Sequence, residues 1–117
     1  MNRRWILFFV LLAAALPLKA STTVVPNLSN VRAYPNPWRV DKHANTSVKF
    51  DGMPAGSTVK IFTIAAEEVK KLSADSAGSV SWDRTNDSGQ SVASGVYIYL
   101  IIDPQGNQTS GKLAIIK

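Results

Sequence analysis

A chain of 117 residues with 45% hydrophobic and 18% charged side chains is composed for one folded domain, which excludes a disordered tail and a multi-span membrane protein. It contains no cysteine, so disulfides, thiol catalysis, iron–sulfur clusters and thiolate zinc sites are excluded, and one histidine, His43, leaves no two-histidine metal site. The formal net charge of +5 raises nucleic acid as a partner, but three of the thirteen basic residues, Arg3, Arg4 and Lys19, lie in the first twenty positions.

Those twenty residues read as a secretory signal peptide, with a basic start at Arg3-Arg4, an apolar run from Trp5 to Leu16, then Pro17 and the small residue Ala20 as the expected cleavage point. The apolar run of 12 residues falls short of the roughly 20 that cross a bilayer, so membrane contact is expected only through this segment before cleavage. Residues 21–117 then carry ten basic against eight acidic side chains with no longer like-charge run than Lys70-Lys71, and nucleic acid is not expected as a partner. The expected route is the Sec pathway, ending in the periplasm, at the cell surface or outside the cell.

Residues 21–30, rich in Ser, Thr, Asn and Pro, read as a spacer, and the domain is expected over 31–117. From Val31 onward, turn formers recur between short β-prone runs. Val48 and Phe50 alternate with polar neighbours, Val59, Ile61 and Thr63 share one side with Phe62 and Ile64 on the other, and Val80 alternates with Trp82. Residues 65–72 are good helix formers with a Glu67–Lys71 pair, but eight residues hold no helix alone, and a strand is the preferred reading. Val96 to Ile102 is apolar or aromatic at every position and suits a central strand covered on both faces.

Strands are thus expected over 31–34, 47–51, 58–64, 67–72, 79–83, 96–103 and 109–116. About seven short strands and no firm helix predict an all-β, immunoglobulin-like antiparallel sandwich. Its expected core is Phe50, Ile61, Trp82, Ile98 and Leu100, while Trp38 reads equally as an edge cap or an exposed contact.

Chemistry-bearing patterns are few. Four Asn-x-Ser/Thr sequons, at Asn27, Asn45, Asn86 and Asn107, are read as turn composition. Asp83, Asn86 and Asp87 before Gly89 miss the spacing of a calcium loop. Adjacent Glu67 and Glu68 would point to opposite faces of a strand, and Asp41 with His43 lacks a nucleophile motif. No catalytic, cofactor or metal residue is therefore expected, and the protein is expected not to be an enzyme.

The order Tyr34-Pro35-Asn36-Pro37-Trp38, Val59 to Ile64, Val69-Lys70-Lys71-Leu72, Trp82-Asp83, Asn86 with Gly89, and Ser94-Gly95-Val96-Tyr97-Ile98-Tyr99 resembles the FlgD/Vpr-type immunoglobulin-like domain. That group overlaps the C-terminal sorting domains of type IX secretion cargo, and the resemblance spans residues 31–117. It implies a module read by an outer-membrane translocon, with recognition at Pro35, Asn36, Pro37, Gly95, Val96, Tyr97 and the terminal strand from Lys112 to Lys117. In the FlgD-like branch it implies instead a structural or adhesive module that binds other surface proteins. Two positions depart from the pattern: Ala66 and Arg84 stand where these domains usually place glycine. Recognition by strand addition along the terminal strand follows as the expected mode.

Overall fold

Side chains that alternate between apolar and polar build strands with one buried face, and the computed structural model, which describes residues 28–117, arranges them in two sheets. The strands are β1 (Arg32–Tyr34), β2 (Trp38–Arg39), β3 (Val48–Asp51), β4 (Thr58–Thr63), β5 (Glu68–Ser73), β6 (Val80–Trp82), β7 (Gly95–Ile102) and β8 (Gln108–Ile116). One helical turn, α1 (Val40–His43), follows β2. The small sheet has the order β1-β3-β6 and the large one β2-β8-β7-β4-β5. Neighbours are antiparallel, save that β2 runs parallel to β8.

The fold is the expected all-β sandwich, and each expected strand is present within two residues of its expected bounds. The helix-prone stretch 65–72 forms a turn and β5, held by pairing with β4 from Thr58↔Ser73 to Phe62↔Glu68. The two-residue β2 was not expected. The expected signal peptide and residues 21–27 of the spacer lie outside the described residues. Leu28, at the end of that spacer, is buried in the core, so the packed unit starts before Val31.

The core fills the space between the sheets. Phe50 and Trp82 come from the small sheet, Val59, Ile61, Tyr97, Ile101, Leu113 and Ile115 from the large one. Phe50 meets Tyr99 edge-on at 5.2 Å and Trp82 meets Tyr97 at 6.0 Å, the offset geometry that aromatic quadrupoles favour. Phe50, Ile61 and Trp82 are core residues as expected. Ile98 and Leu100 are not: both are only half-buried, on the outer face of β7. Every position of β7 is apolar or aromatic, so composition leaves its phase open; the two ring contacts set it by turning Tyr97 and Tyr99 inward.

Among the described residues, four turns share one hydrogen-bond pattern. They span residues 63–67, 75–79, 86–90 and 103–107. In each, the first residue's side-chain oxygen accepts the N–H groups two and four residues on, from Thr63, Asp75, Asn86 or Asp103. The first residue's N–H also donates to the fifth carbonyl, and the fourth N–H donates back to the first carbonyl. The fourth residue takes a positive φ in all four, at Gly78, Gly89, Gly106 and Ala66. Between the paired strands β4–β5 and β7–β8 this is the three-residue hairpin connection whose left-handed position prefers glycine, and Ala66 occupies it with φ 69°.

Candidate functional site

The three segments singled out by resemblance, 35–37, 95–97 and 112–117, meet at one corner of the large sheet. The chain leaves the small sheet at Tyr34 and enters the large one at Trp38, so Pro35-Asn36-Pro37 is the crossover, with both Xaa-Pro bonds cis. Prolines bring no N–H, so a crossover built from them leaves few donors to satisfy. Asn36 supplies the missing pairing through its side chain: Nδ2 donates to the Lys112 carbonyl at 2.8 Å and Oδ1 accepts the Ala114 N–H at 3.2 Å. The backbone ladder then takes over at Trp38↔Ile115 and Arg39↔Ile116.

On its other side β8 pairs with β7, placing Gly95 against Ile115, Val96 against Ala114 and Tyr97 against Leu113. Lys117 closes the corner: its N–H donates to Ser94 Oγ at 2.9 Å, and its Nζ donates to Ser91 Oγ and the Val92 carbonyl. Residues 112–116 are therefore flanked on both sides. This corrects the expectation that the terminal strand offers an open edge up to Lys117. Backbone polar groups alternate along a strand, and those of Lys112 and Ala114 point toward Asn36. Those of Gln108 and Ser110 point the same way, and no strand lies beside them among the described residues. The open part of this edge is the first half of β8.

The individual residues divide by exposure. Asn36, Pro37, Val96, Lys112 and Lys117 are exposed, Pro35 is half-buried, and Gly95 opens β7 with free space beside its Cα. Tyr97 lies in the core, and its hydroxyl donates to the Ala93 carbonyl at 2.7 Å, the hydrogen bond of a tyrosine corner. Burial pushes its phenol pKa up. Tyr97 thus supports the corner from inside and presents nothing to a partner.

Trp38 is buried and anchors β2. Its Nε1 donates to the Thr46 carbonyl at 2.7 Å, and the Arg84 guanidinium lies 4.0 Å over its ring while donating to the same carbonyl at 3.0 Å. Arg84 holds this position with φ 65°, the second non-glycine residue in the left-handed region, and burial lowers its pKa. The sequence showed the missing glycine but gave no sign of the stack, because Trp38 and Arg84 lie 46 positions apart.

The other sequence candidates are occupied locally. Asp41 is held by Arg39 at 2.8 Å, and that hydrogen bond keeps its carboxyl below the usual range. His43 Nδ1 accepts the Arg39 N–H at 2.9 Å across α1. Asn86 spends Oδ1 on the Ser88 and Gln90 N–H groups, and Asp83 accepts from Thr85. Among the described residues no group of His, Asp or Glu side chains is placed to hold a metal ion.

Solved structures share this fold. The chain is similar to PorZ, a bacterial surface component of the type IX secretion system of Porphyromonas gingivalis, at 28% identity and a TM-score of 0.68 over 82% of this chain and 13% of that one. It is also similar in fold to dimeric latent PorU from Porphyromonas gingivalis, at 23% identity and a TM-score of 0.54 over 80% of this chain and 10% of that one. The chain therefore spans only a small part of either protein's length. No protein-family model matches it, and no curated protein does.

Proposed function

We propose that the protein is an exported, non-enzymatic immunoglobulin-like module of the sorting-domain kind, acting in export or cell-surface attachment through a protein partner. The observation that carries this reading is the corner itself: three segments far apart in sequence are held together by the Asn36 clamp on β8 and the Lys117 contacts to residues 91–94. The likeness to PorZ supports a link to type IX secretion. Asn36, Pro37, Val96, Lys112 and Lys117 are the side chains a translocon would read, with the backbone of Gln108 and Ser110 open to strand addition.

The test fuses residues 21–117 behind a Sec signal and a fluorescent reporter in a bacterium with a working type IX system. Reporter at the surface or in the medium, lost on deleting Lys112–Lys117, supports the reading. Reporter left in the periplasm with the domain intact overturns it. A second reading, a structural or adhesive FlgD-like module that binds other surface proteins, draws on the exposed apolar side chains Ile64, Val96 and Ile116.

A further inference from the structure

The outer face of the large sheet is apolar where water should make it polar. A one-sided antiparallel sheet normally alternates apolar inward with polar outward, yet β7 turns Val96, Ile98, Leu100 and Ile102 away from the core. Phe62 of β4 stands beside Ile98, and Ile64, just beyond β4, is 74% exposed. Phe62, Thr63, Ile64, Ala66 and Ile98 line an open depression of about 290 Å³.

The charge on this face is also unbalanced. Lys60 of β4 and Lys71 of β5 are direct cross-strand neighbours, a like-charge pair that is unfavourable in isolation. Lys112 stands beside Ile98 on β8. None of these lysines has an ion-pair partner among the described residues, although Glu68 lies opposite Phe62 on the same sheet.

We infer that this face docks an acidic protein segment, which inserts an apolar side chain between Phe62, Ile64 and Ile98 and sets carboxylates against Lys60 and Lys71. Charge complementarity selects that occupant. A second copy of the chain, docked face to face about a two-fold axis, would bring lysines against lysines. A bilayer takes up protruding aromatic and apolar side chains, whereas the aromatic ring of this face, Phe62, is half-buried and lines a depression. The inference goes beyond the export reading and does not depend on it, because its test uses Lys60, Lys71 and Ile98, none of which belongs to the Asn36 corner.

The experiment titrates the isotope-labelled full chain, followed by NMR, with a blocked hexapeptide carrying a leucine–phenylalanine pair between two aspartates on each side. The control peptide has lysines in place of the aspartates. The expected result is shifts confined to the surroundings of Phe62, Ile64 and Ile98, with affinity falling about tenfold between roughly 50 and 500 mM salt. The double variant Lys60→Glu, Lys71→Glu should reverse the preference between the peptides, and Ile98→Ser should abolish binding of both while the remaining spectrum stays folded. Equal binding of the two peptides, shifts elsewhere, no binding, or capture by phosphatidylglycerol vesicles without capture of the peptide would each overturn the inference.

Discussion

The side-chain amide of Asn36 pairs with the Lys112 carbonyl at 2.8 Å and so extends the β2–β8 ladder by one step that the proline-flanked backbone does not make. Its Oδ1 completes the mimicry by accepting the Ala114 N–H. Donor and acceptor are both used, and only an amide offers both at that reach.

Asn36→Asp tests this directly. The carboxylate still accepts from Ala114 but sets a second acceptor against the Lys112 carbonyl. Asn36→Ala removes both bonds and should lower stability by about 1 kcal/mol. We expect Asn36→Asp to be at least as damaging, measured as the urea midpoint, with amide exchange at Ala114 accelerated in the alanine variant and less so in the aspartate one. In the export fusion, both variants should reduce surface reporter if the corner is what the partner reads.

Ala66 is the exception among four otherwise matching turns. Its φ of 69° lies in the region where a Cβ crowds its own backbone, a penalty of roughly 1–2 kcal/mol. Ala66→Gly should relieve it, less a smaller loss from the freer unfolded chain. The expected net gain is about 0.5–1 kcal/mol, read as a raised melting temperature. Gly89→Ala is the reverse control: the same turn, with nothing within 4 Å of an added Cβ, should lose a similar amount.

Much of this architecture could be read from the residues, for identifiable reasons. Strand positions followed from the period-2 pattern at Val48/Phe50 and Val59/Ile61, where polar residues alternate and fix the phase. That signal vanishes in β7, where both faces read as covered and Ile98 and Leu100 as core; only the contacts of Tyr97 with Trp82 and Tyr99 with Phe50, which join the two sheets, show which face is buried. The special position of Ala66 and Arg84 was visible as absent glycines, and both adopt positive φ. The clamp from Asn36 to β8 and the stack of Arg84 on Trp38 were illegible, because each joins segments tens of residues apart and leaves no periodic trace. For the same reason the terminal strand looked like a free edge: β2 has only two residues and carries no strand signature.

Asp103 gives the molecule a defined acid limit. Burial pushes its carboxyl up, but the Asn107 side-chain amide and the backbone N–H groups of Asn107, Gln105 and Gly106 outweigh it, leaving its pKa below the ordinary value. A native pKa below the unfolded one means that the unfolded chain binds the proton first as pH falls. Its stabilisation is complete above the usual carboxylate range, near pH 4, and is lost as pH drops through the lower folded-state value. Asp51, depressed by its hydrogen bonds from Arg32 and with Tyr34 also donating, acts in the same sense. Urea midpoints should therefore stay level from neutral pH to about pH 5 and then fall. Asp103→Asn should be less stable at neutral pH and show a shallower fall in acid, since Asn86 shows that an amide oxygen can hold the same turn.

Arg84 combines a cost and a gain at one residue, and substitutions can separate them. Its positive φ opposes any side chain, while its guanidinium stacks on Trp38 at 4.0 Å and shares the Thr46 carbonyl with the Trp38 indole. Arg84→Ala keeps the backbone penalty and removes the stack and the hydrogen bond, so it should destabilise by about 1–3 kcal/mol. Arg84→Gly removes both and should fall well short of that loss, because the left-handed penalty of roughly 1–2 kcal/mol is relieved. Arg84→Lys keeps the charge but not the planar fork, and should lie close to alanine if stacking dominates. The ordering glycine above alanine, with lysine near alanine, is the expected outcome in urea midpoints. Trp38 fluorescence should respond in all three, since its ring face loses the guanidinium that covers it. If glycine were instead the worst of the three, the left-handed backbone at this position would carry no penalty for a side chain, since alanine and glycine lose the same stack.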